Sequence, residues 1–92
     1  TLFRSMYNLA LLYDNQEKFS LAEKYYLMAI KENDSDAMYN LALIYDNQKK
    51  YPLAEKYYLM AVEANDSDAT FNLALLYDNQ KKYNLIAVGS SH

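Results

Sequence analysis

Aspartates recur along this chain at fixed positions and are the side chains best suited to chemistry. Asp34 and Asp36 stand two residues apart, and Asp66 and Asp68 repeat this pair 32 residues later. Two carboxylates could hold a weak cation, but the spacing of an EF-hand loop and its bidentate glutamate are absent. Helix capping accounts for these aspartates better, so we predict no metal site.

The chain offers little else for catalysis, which needs convergent groups of tuned pKa or a metal. It has no cysteine, and its one histidine, His92, is the last residue. The only glycine is Gly89, so there is no glycine-rich loop to hold a phosphate. Glu23 and Glu55, each followed by a lysine, are interpreted as solvated charges. We therefore predict no enzyme and no cofactor.

Composition narrows the class of protein further. The 92 residues are 52% apolar and include 11 tyrosines, which predicts a folded chain. The net charge of −3, with no basic block, gives no reason to bind nucleic acid or an anionic membrane. Apolar runs are far shorter than the roughly 20 residues that span a bilayer. We expect a soluble protein, and the lack of cysteine is compatible with a reducing, intracellular compartment.

An internal repeat positions these side chains. Residues 7–38 recur as 39–70 with 24 of 32 positions identical, and a third copy begins at Phe71. A period of this length predicts one supersecondary unit stacked on copies of itself. We divide this single domain into repeat 1 at about 5–36, repeat 2 at about 37–68 and a partial repeat 3 at about 69–88. Because the match fails after Leu85, we interpret 89–92 as a tag remnant and the chain as a piece of a longer array or a recombined one. An alternative is that the repeats were assembled to study repeat folding and bind no ligand.

Apolar spacing predicts two helices in each repeat. Both stripes follow the 3.6-residue period: Met38, Leu41, Ala42 and Tyr45 in the first, and Ala54, Tyr57, Tyr58 and Ala61 in the second. Ser35 or Asp36 would cap the first helix, and Pro52 suits the start of the second. We predict helices at about 5–15, 20–32, 36–48, 52–64 and 68–80, with a stub near 84–88. The fold class is all-α, a solenoid of antiparallel helix pairs with about two and a half repeats.

These residues resemble the tetratricopeptide repeat and its relative, the Sel-like repeat. The pattern lies at Met38, Asn40-Leu41-Ala42, Tyr45, Tyr51, Ala54, Tyr58 and Ala61, and it recurs in register over about 80 of the 92 residues. The usual tetratricopeptide unit has 34 residues, so this one is two residues shorter. Its inter-repeat connector is similar to the Sel-like version, whereas its internal turn has the tetratricopeptide length.

The resemblance implies a protein–protein interaction scaffold whose first helices line a concave groove for a peptide or a partner helix. It places there Tyr7, Asn8, Leu11, Asp14, Asn15, Tyr39, Asn40, Leu43, Asp46, Asn47, Phe71, Asn72, Leu75, Asp78 and Asn79. The asparagines would hydrogen-bond a peptide backbone or, alternatively, tie neighbouring helices together. Because the groove lacks Lys and Arg, we expect a neutral or basic peptide and not a terminal carboxylate.

The incomplete third copy suggests a second hypothesis, self-assembly. Leu73, Leu76 and Tyr77 lack the second helix that covers their equivalents in earlier copies. An uncovered apolar stripe is costly in water, and another chain could cover it. Under this hypothesis the chain forms a homodimer or a higher oligomer.

Overall fold

A computed structural model of the chain describes the backbone of residues 4–89 and the side chains of residues 4–80. The described part contains five helices, namely α1 (Ser5–Asn15), α2 (Phe19–Ile30), α3 (Ser35–Asn47), α4 (Tyr51–Glu63) and α5 (Ser67–Gly89). Each helix packs on the next, and α3 also contacts α5. This arrangement confirms the predicted all-α stack of helix pairs. No helix within residues 4–89 combines the length and apolar character needed to cross a membrane.

Aspartates begin α3 and α5. The Oδ1 atom of Asp34 accepts hydrogen bonds from the backbone N–H groups of Asp36 and Ala37 at 3.0 and 3.2 Å. Asp66 makes the equivalent pair of bonds at the start of α5. The cap of α3 is therefore Asp34, and the prediction of Ser35 or Asp36 was wrong by one or two residues. Asp36 lies instead in the first turn, where its negative charge suits the positive end of the helix dipole.

Four tight turns connect the helices, and each contains a non-glycine residue with positive φ. These residues are Glu17, Asn33, Lys49 and Asn65, with φ between 60° and 67°. In the turn after α3, the Lys50 N–H donates to the Tyr45 carbonyl at 2.8 Å and the Lys49 N–H donates to the Asp46 carbonyl at 3.0 Å. This pair of bonds is a Schellman motif, which satisfies carbonyls at the end of a helix. Asparagine tolerates this conformation well, whereas lysine and glutamate adopt it at a cost.

Alanine and tyrosine form most of the core. Ala42 of α3 and Ala54 of α4 are both fully buried, which lets the two helices of the repeat approach closely. Tyr26 and Tyr58 are the largest fully buried side chains among the described residues. Each belongs to the second helix of its repeat and lies against the tyrosine of the first helix, Tyr7 or Tyr39, at centroid distances of 6.1 and 6.3 Å. The bulk of the tyrosines fills the spaces that the small alanines leave.

The last helix differs from the prediction. We expected a helix over 68–80 and a separate stub, but α5 runs without a break to Gly89. The turn is lost although residues 77–83 repeat residues 45–51 letter for letter, as YDNQKKY. In repeat 2 the turn lets α4 return and bury Ala54 and Tyr57. The corresponding positions hold Ile86 and Gly89, so a turn would gain no such packing and the helix continues.

Candidate functional site

The residues predicted for the groove lie on the first helices, one repeat apart, and none of them is fully buried. Part of the set is exposed: Asn8, Asn15, Asn47, Phe71, Leu75, Asp78 and Asn79. The rest is half-buried: Tyr7, Leu11, Asp14, Tyr39, Asn40, Leu43, Asp46 and Asn72. The aromatic, leucine and aspartate positions are most exposed in the third copy, where Phe71 is 65% accessible. These positions therefore present partly accessible polar and apolar side chains along α1, α3 and α5.

An asparagine–tyrosine ladder connects successive first helices. The Nδ2 atom of Asn40 donates to the Tyr7 hydroxyl at 3.0 Å, and the Nδ2 atom of Asn72 donates to the Tyr39 hydroxyl at 2.9 Å. Asn72 also donates to the Asp68 carbonyl at 2.9 Å. The amide nitrogens thus hold neighbouring repeats in register, which is the structural role that the sequence left open. The Oδ1 atom of the same amide is the acceptor that a peptide N–H group would need.

Two aspartates of the predicted groove, Asp14 and Asp46, accept hydrogen bonds from the second helix of their own repeat. The Tyr26 hydroxyl donates to Asp14 at 2.8 Å, and the Tyr58 hydroxyl donates to Asp46 at 3.0 Å. Burial is the largest cause that raises the pKa of both tyrosine hydroxyls well above the usual value, and the hydrogen bonds to carboxylates raise it further. The sequence interpretation missed this pairing, although tyrosine follows aspartate by 12 residues in both repeats.

The third copy offers Asp78 no such partner from its own repeat. The tyrosine that pairs with Asp14 or Asp46 would fall at position 90, where the sequence has Ser90. Asp78 is exposed, unlike the half-buried Asp14 and Asp46. Its carboxylate is therefore more accessible to a ligand than those of the first two repeats.

A cavity of about 260 Å³ opens between repeats 1 and 2. Its lining is formed by the end of α1, the start of α2 and the last turns of α3, at Asp14, Phe19, Leu43, Ile44, Asn47 and Gln48. Three of these residues, Asp14, Leu43 and Asn47, belong to the predicted groove. The cavity is mainly apolar, with a carboxylate at one side. It could receive an apolar side chain.

Comparison with known families gives one result. The family model for the tetratricopeptide repeat matches residues 7–69, which is more than half of the chain. The chain belongs to the tetratricopeptide repeat family. Comparisons with curated proteins and with solved structures give no match. The Sel-like character of the connector stays a prediction.

Tetratricopeptide repeats are in general protein-interaction modules and typically act as non-enzymatic scaffolds. The sequence suggested that Glu23 and Glu55 are solvated charges, but in this tetratricopeptide array both accept hydrogen bonds. The Tyr45 hydroxyl of α3 donates to Glu23 of α2, one repeat earlier. A hydrogen bond with Glu55 likewise raises the pKa of the Tyr77 hydroxyl. Both glutamates therefore bind the first helix of the following repeat.

Arg4 directly precedes α1 and contacts the start of the second repeat. Its guanidinium donates to Asp34 at 3.1 Å and to Asp36 at 2.9 Å. It also lies 4.1 Å from the centroid of the Tyr7 ring, within the range of a cation–π interaction. Asp34 thus caps α3 and pairs with a cation at the same time.

The predicted self-association stripe is only partly exposed. Leu73 and Leu76 are buried against repeat 2, so the expectation that they lack a cover was wrong. They occupy the face of a first helix that packs on the preceding repeat, as Leu41 and Ile44 do in α3. Tyr77 is 43% exposed, whereas its equivalent Tyr45 is 5% exposed. The uncovered side of α5 is therefore the side that faces the second helix in complete tetratricopeptide repeats.

Proposed function

We propose that the protein binds a neutral or basic peptide segment of a partner protein along its first helices. The observation that carries this proposal is the column of groove residues that α1, α3 and α5 present at a 32-residue interval, in a chain of the tetratricopeptide family. The asparagine–tyrosine ladder supports it, because the ladder fixes the spacing between recognition positions before any ligand arrives. A preorganised site loses less conformational entropy on binding.

Charge supports the choice of peptide. The groove contributes one aspartate per repeat, at Asp14, Asp46 and Asp78, and no lysine or arginine stands among the predicted groove residues. A carboxylate ligand would meet like charge, which disfavours binding, whereas a lysine or arginine would meet complementary charge. Asp78 should contribute most to this preference, because Asp14 and Asp46 already accept hydrogen bonds from tyrosine hydroxyls.

The cavity between repeats 1 and 2 supports an apolar anchor on the same peptide. Leu43 and Ile44 supply its apolar wall, and Asp14 lies beside it. A leucine or methionine inserted there would bury apolar surface, while a neighbouring basic residue would lie near the carboxylate. We expect the preferred segment to alternate apolar and basic residues.

Three labelled decapeptides test this proposal. They share the same leucine and serine positions and differ only in carrying three lysines, three glutamines or three glutamates. Fluorescence anisotropy should give the tightest binding for the lysine peptide and the weakest for the glutamate peptide. Asp78→Asn should weaken the lysine peptide several-fold and leave the glutamine peptide unchanged. Glu63→Gln removes an equal charge at an exposed position outside the groove and serves as the control.

Two outcomes would reject groove binding. One is equal affinity of the chain for all three peptides, because the aspartate column would then play no part in recognition. The other is an equal loss of lysine-peptide affinity in Asp78→Asn and Glu63→Gln, since general charge attraction would explain that result.

Self-association is a second candidate function, favoured by the 43% exposure of Tyr77 on α5. Light scattering across a concentration series would measure it directly. A mass that rises with concentration, and that Tyr77→Ser returns to one chain without loss of helix, supports this function. A constant mass of one chain rejects it.

A further inference from the structure

One side of α5 carries the residues that contact a second helix in the earlier repeats. We name Thr70, Ala74 and Tyr77 the open face. Its equivalent in α3 consists of Met38, Ala42 and Tyr45, all of them buried. Ala74, in contrast, is exposed although Ala42 and Ala10 are completely buried. The chain thus contains this helix face in a covered form on α3 and in an open form on α5, with Thr70 in place of Met38.

The covered form shows what chemistry fits this face. On α3 the cover is α4, whose Ala54 is fully buried in the shared core. The ring of Tyr57 lies 5.7 Å from the ring of Tyr45, within the range of favourable aromatic pairs. The hydroxyl of the next residue, Tyr58, donates to Asp46. A cover therefore supplies a small residue, then an aromatic ring and a hydroxyl donor three and four residues later.

Repeat 1 has the same arrangement. The ring of Tyr25 in α2 stacks on Tyr13 of α1 at 5.7 Å, and Tyr26 donates to Asp14. Ala22 takes the place of Ala54 and is fully buried. Two independent copies thus define one recognition pattern.

Residues 81–89 do not cover the open face. Because α5 runs as one helix to Gly89, residues 81–89 extend beyond Tyr77 along the same axis and do not turn back. The residue types also fail to match, since Ala54 and Tyr57 correspond to Ile86 and Gly89. Asp78 likewise lacks the tyrosine of its own repeat.

We infer that the open face binds one amphipathic helix supplied by another polypeptide, with the pattern of α4: alanine against Ala74, a tyrosine ring against Tyr77 and a tyrosine hydroxyl on Asp78. This site shares Asp78 with the predicted groove but otherwise uses a different side of α5, and it does not depend on peptide binding in the groove. A symmetric pairing of two α5 helices around Tyr77 fits less well. It would bring two Asp78 carboxylates together and supply a hydroxyl donor to neither.

A peptide with the sequence of residues 50–64, KYPLAEKYYLMAVEA, is the probe. It is labelled at its amino end and titrated with the whole chain, with anisotropy and induced helical circular dichroism as readouts. A segment this short has little helix in water, so helix that appears on mixing reports docking. We expect saturable one-to-one binding. A peptide with Tyr58→Phe, which lacks the hydroxyl for Asp78, should bind about three- to tenfold more weakly.

Ala74→Gln blocks the approach of the helix without adding charge, and we expect it to weaken the probe at least about tenfold. The matched control is Ala64→Gln, the same change at an exposed position before α5. Asn8→Ser changes the groove side of α1 and should leave probe binding intact. Because Ala74 is exposed, its replacement should preserve the helix content, which circular dichroism verifies.

Several results would overturn the inference. No binding at about 1 mM peptide would do so, because an intact receptor face should exceed that affinity. Equal binding by Ala74→Gln and Ala64→Gln would place the probe elsewhere. If Ala74→Gln converts a dimer into a monomer and the probe does not compete with that dimer, a second copy of α5 is the occupant and the inference is wrong. Loss of decapeptide binding alone would reject only the groove.

Discussion

Lys49 and Lys81 are the same residue of the same seven-residue segment, but they have different backbone conformations. Lys49 lies in the turn after α3 with φ of 62°. Lys81 lies inside α5, which continues to Gly89. Replacing each lysine by glycine should therefore shift stability in opposite directions. The pair is a matched test, since the neighbouring residues are identical.

The magnitudes follow from the two conformations. A left-handed residue other than glycine costs about 1–2 kcal/mol, and glycine removes most of this cost. The greater freedom of glycine in the unfolded chain takes back about 0.5–1 kcal/mol. Lys49→Gly should therefore raise the free energy of unfolding by about 0.5–1 kcal/mol. Lys81→Gly should lower the stability of α5 by a similar amount, because glycine is about 1 kcal/mol worse than alanine inside a helix and lysine is close to alanine.

Thermal and urea unfolding, followed by circular dichroism, would measure both changes. For a chain of this size 1 kcal/mol corresponds to about 4–8 °C in Tm, so Lys49→Gly should raise Tm by several degrees. Backbone chemical shifts around residue 81 would detect the local loss of helix in Lys81→Gly. Stabilisation by both changes would refute a continuous α5, since Lys81 would then lie in a turn as well. Destabilisation by both would refute the left-handed conformation of Lys49.

Three further predictions concern hydrogen bonds. Tyr39→Phe removes the acceptor of Asn72 and should cost about 1 kcal/mol of unfolding free energy in urea, and an unchanged value would contradict the ladder. Asp66→Ala removes the cap of α5 and should also cost about 1 kcal/mol, whereas Asp66→Asn should retain most of the stability. The raised pKa of Tyr58 means that the folded chain holds this proton more tightly than the unfolded chain. The contribution of the Tyr58 hydroxyl to folding stability is therefore complete below about pH 10 and declines as the pH rises further. Tyr58→Phe, which loses the bond to Asp46, should be less stable at neutral pH and should lose less stability above pH 10. Unfolding curves at several pH values and tyrosinate absorbance would measure this pH dependence. Equal losses of stability above pH 10 in Tyr58→Phe and in the unchanged protein would contradict it.

The helix pairs were predictable because the signals for them are local. The spacing of Leu41, Ala42 and Tyr45 marks one buried stripe, and the 32-residue period places the same stripe in each copy. The turn-forming residues between stripes then separate α1 to α4 within one or two residues of their predicted bounds. The resemblance to the tetratricopeptide repeat assigned the predicted groove residues to the first helices, and the period repeats them in each copy.

The partners of the polar groups were not predictable in the same way. Asp34 accepts from two backbone N–H groups and pairs with Arg4, which lies 30 residues earlier. Glu23 meets Tyr45 across 22 residues and a repeat boundary. No local pattern identifies such pairs, because they depend on how one repeat is set on the next.

The sequence by itself determined a tetratricopeptide array, its period and the face of each first helix that carries Asn, Leu and Asp. These properties depend on contacts within one or two helices, which periodicity records. Only the tertiary structure decided the conformation of YDNQKKY, a turn in repeat 2 and a helix in repeat 3. The physical reason is the packing that follows the turn. In repeat 2 the burial of α4 offsets the cost of the left-handed conformation at Lys49. After Lys81 the sequence has Ile86 and Gly89 in place of Ala54 and Tyr57, so a turn there would gain no such packing. The same absence leaves Ala74 and Tyr77 open on α5.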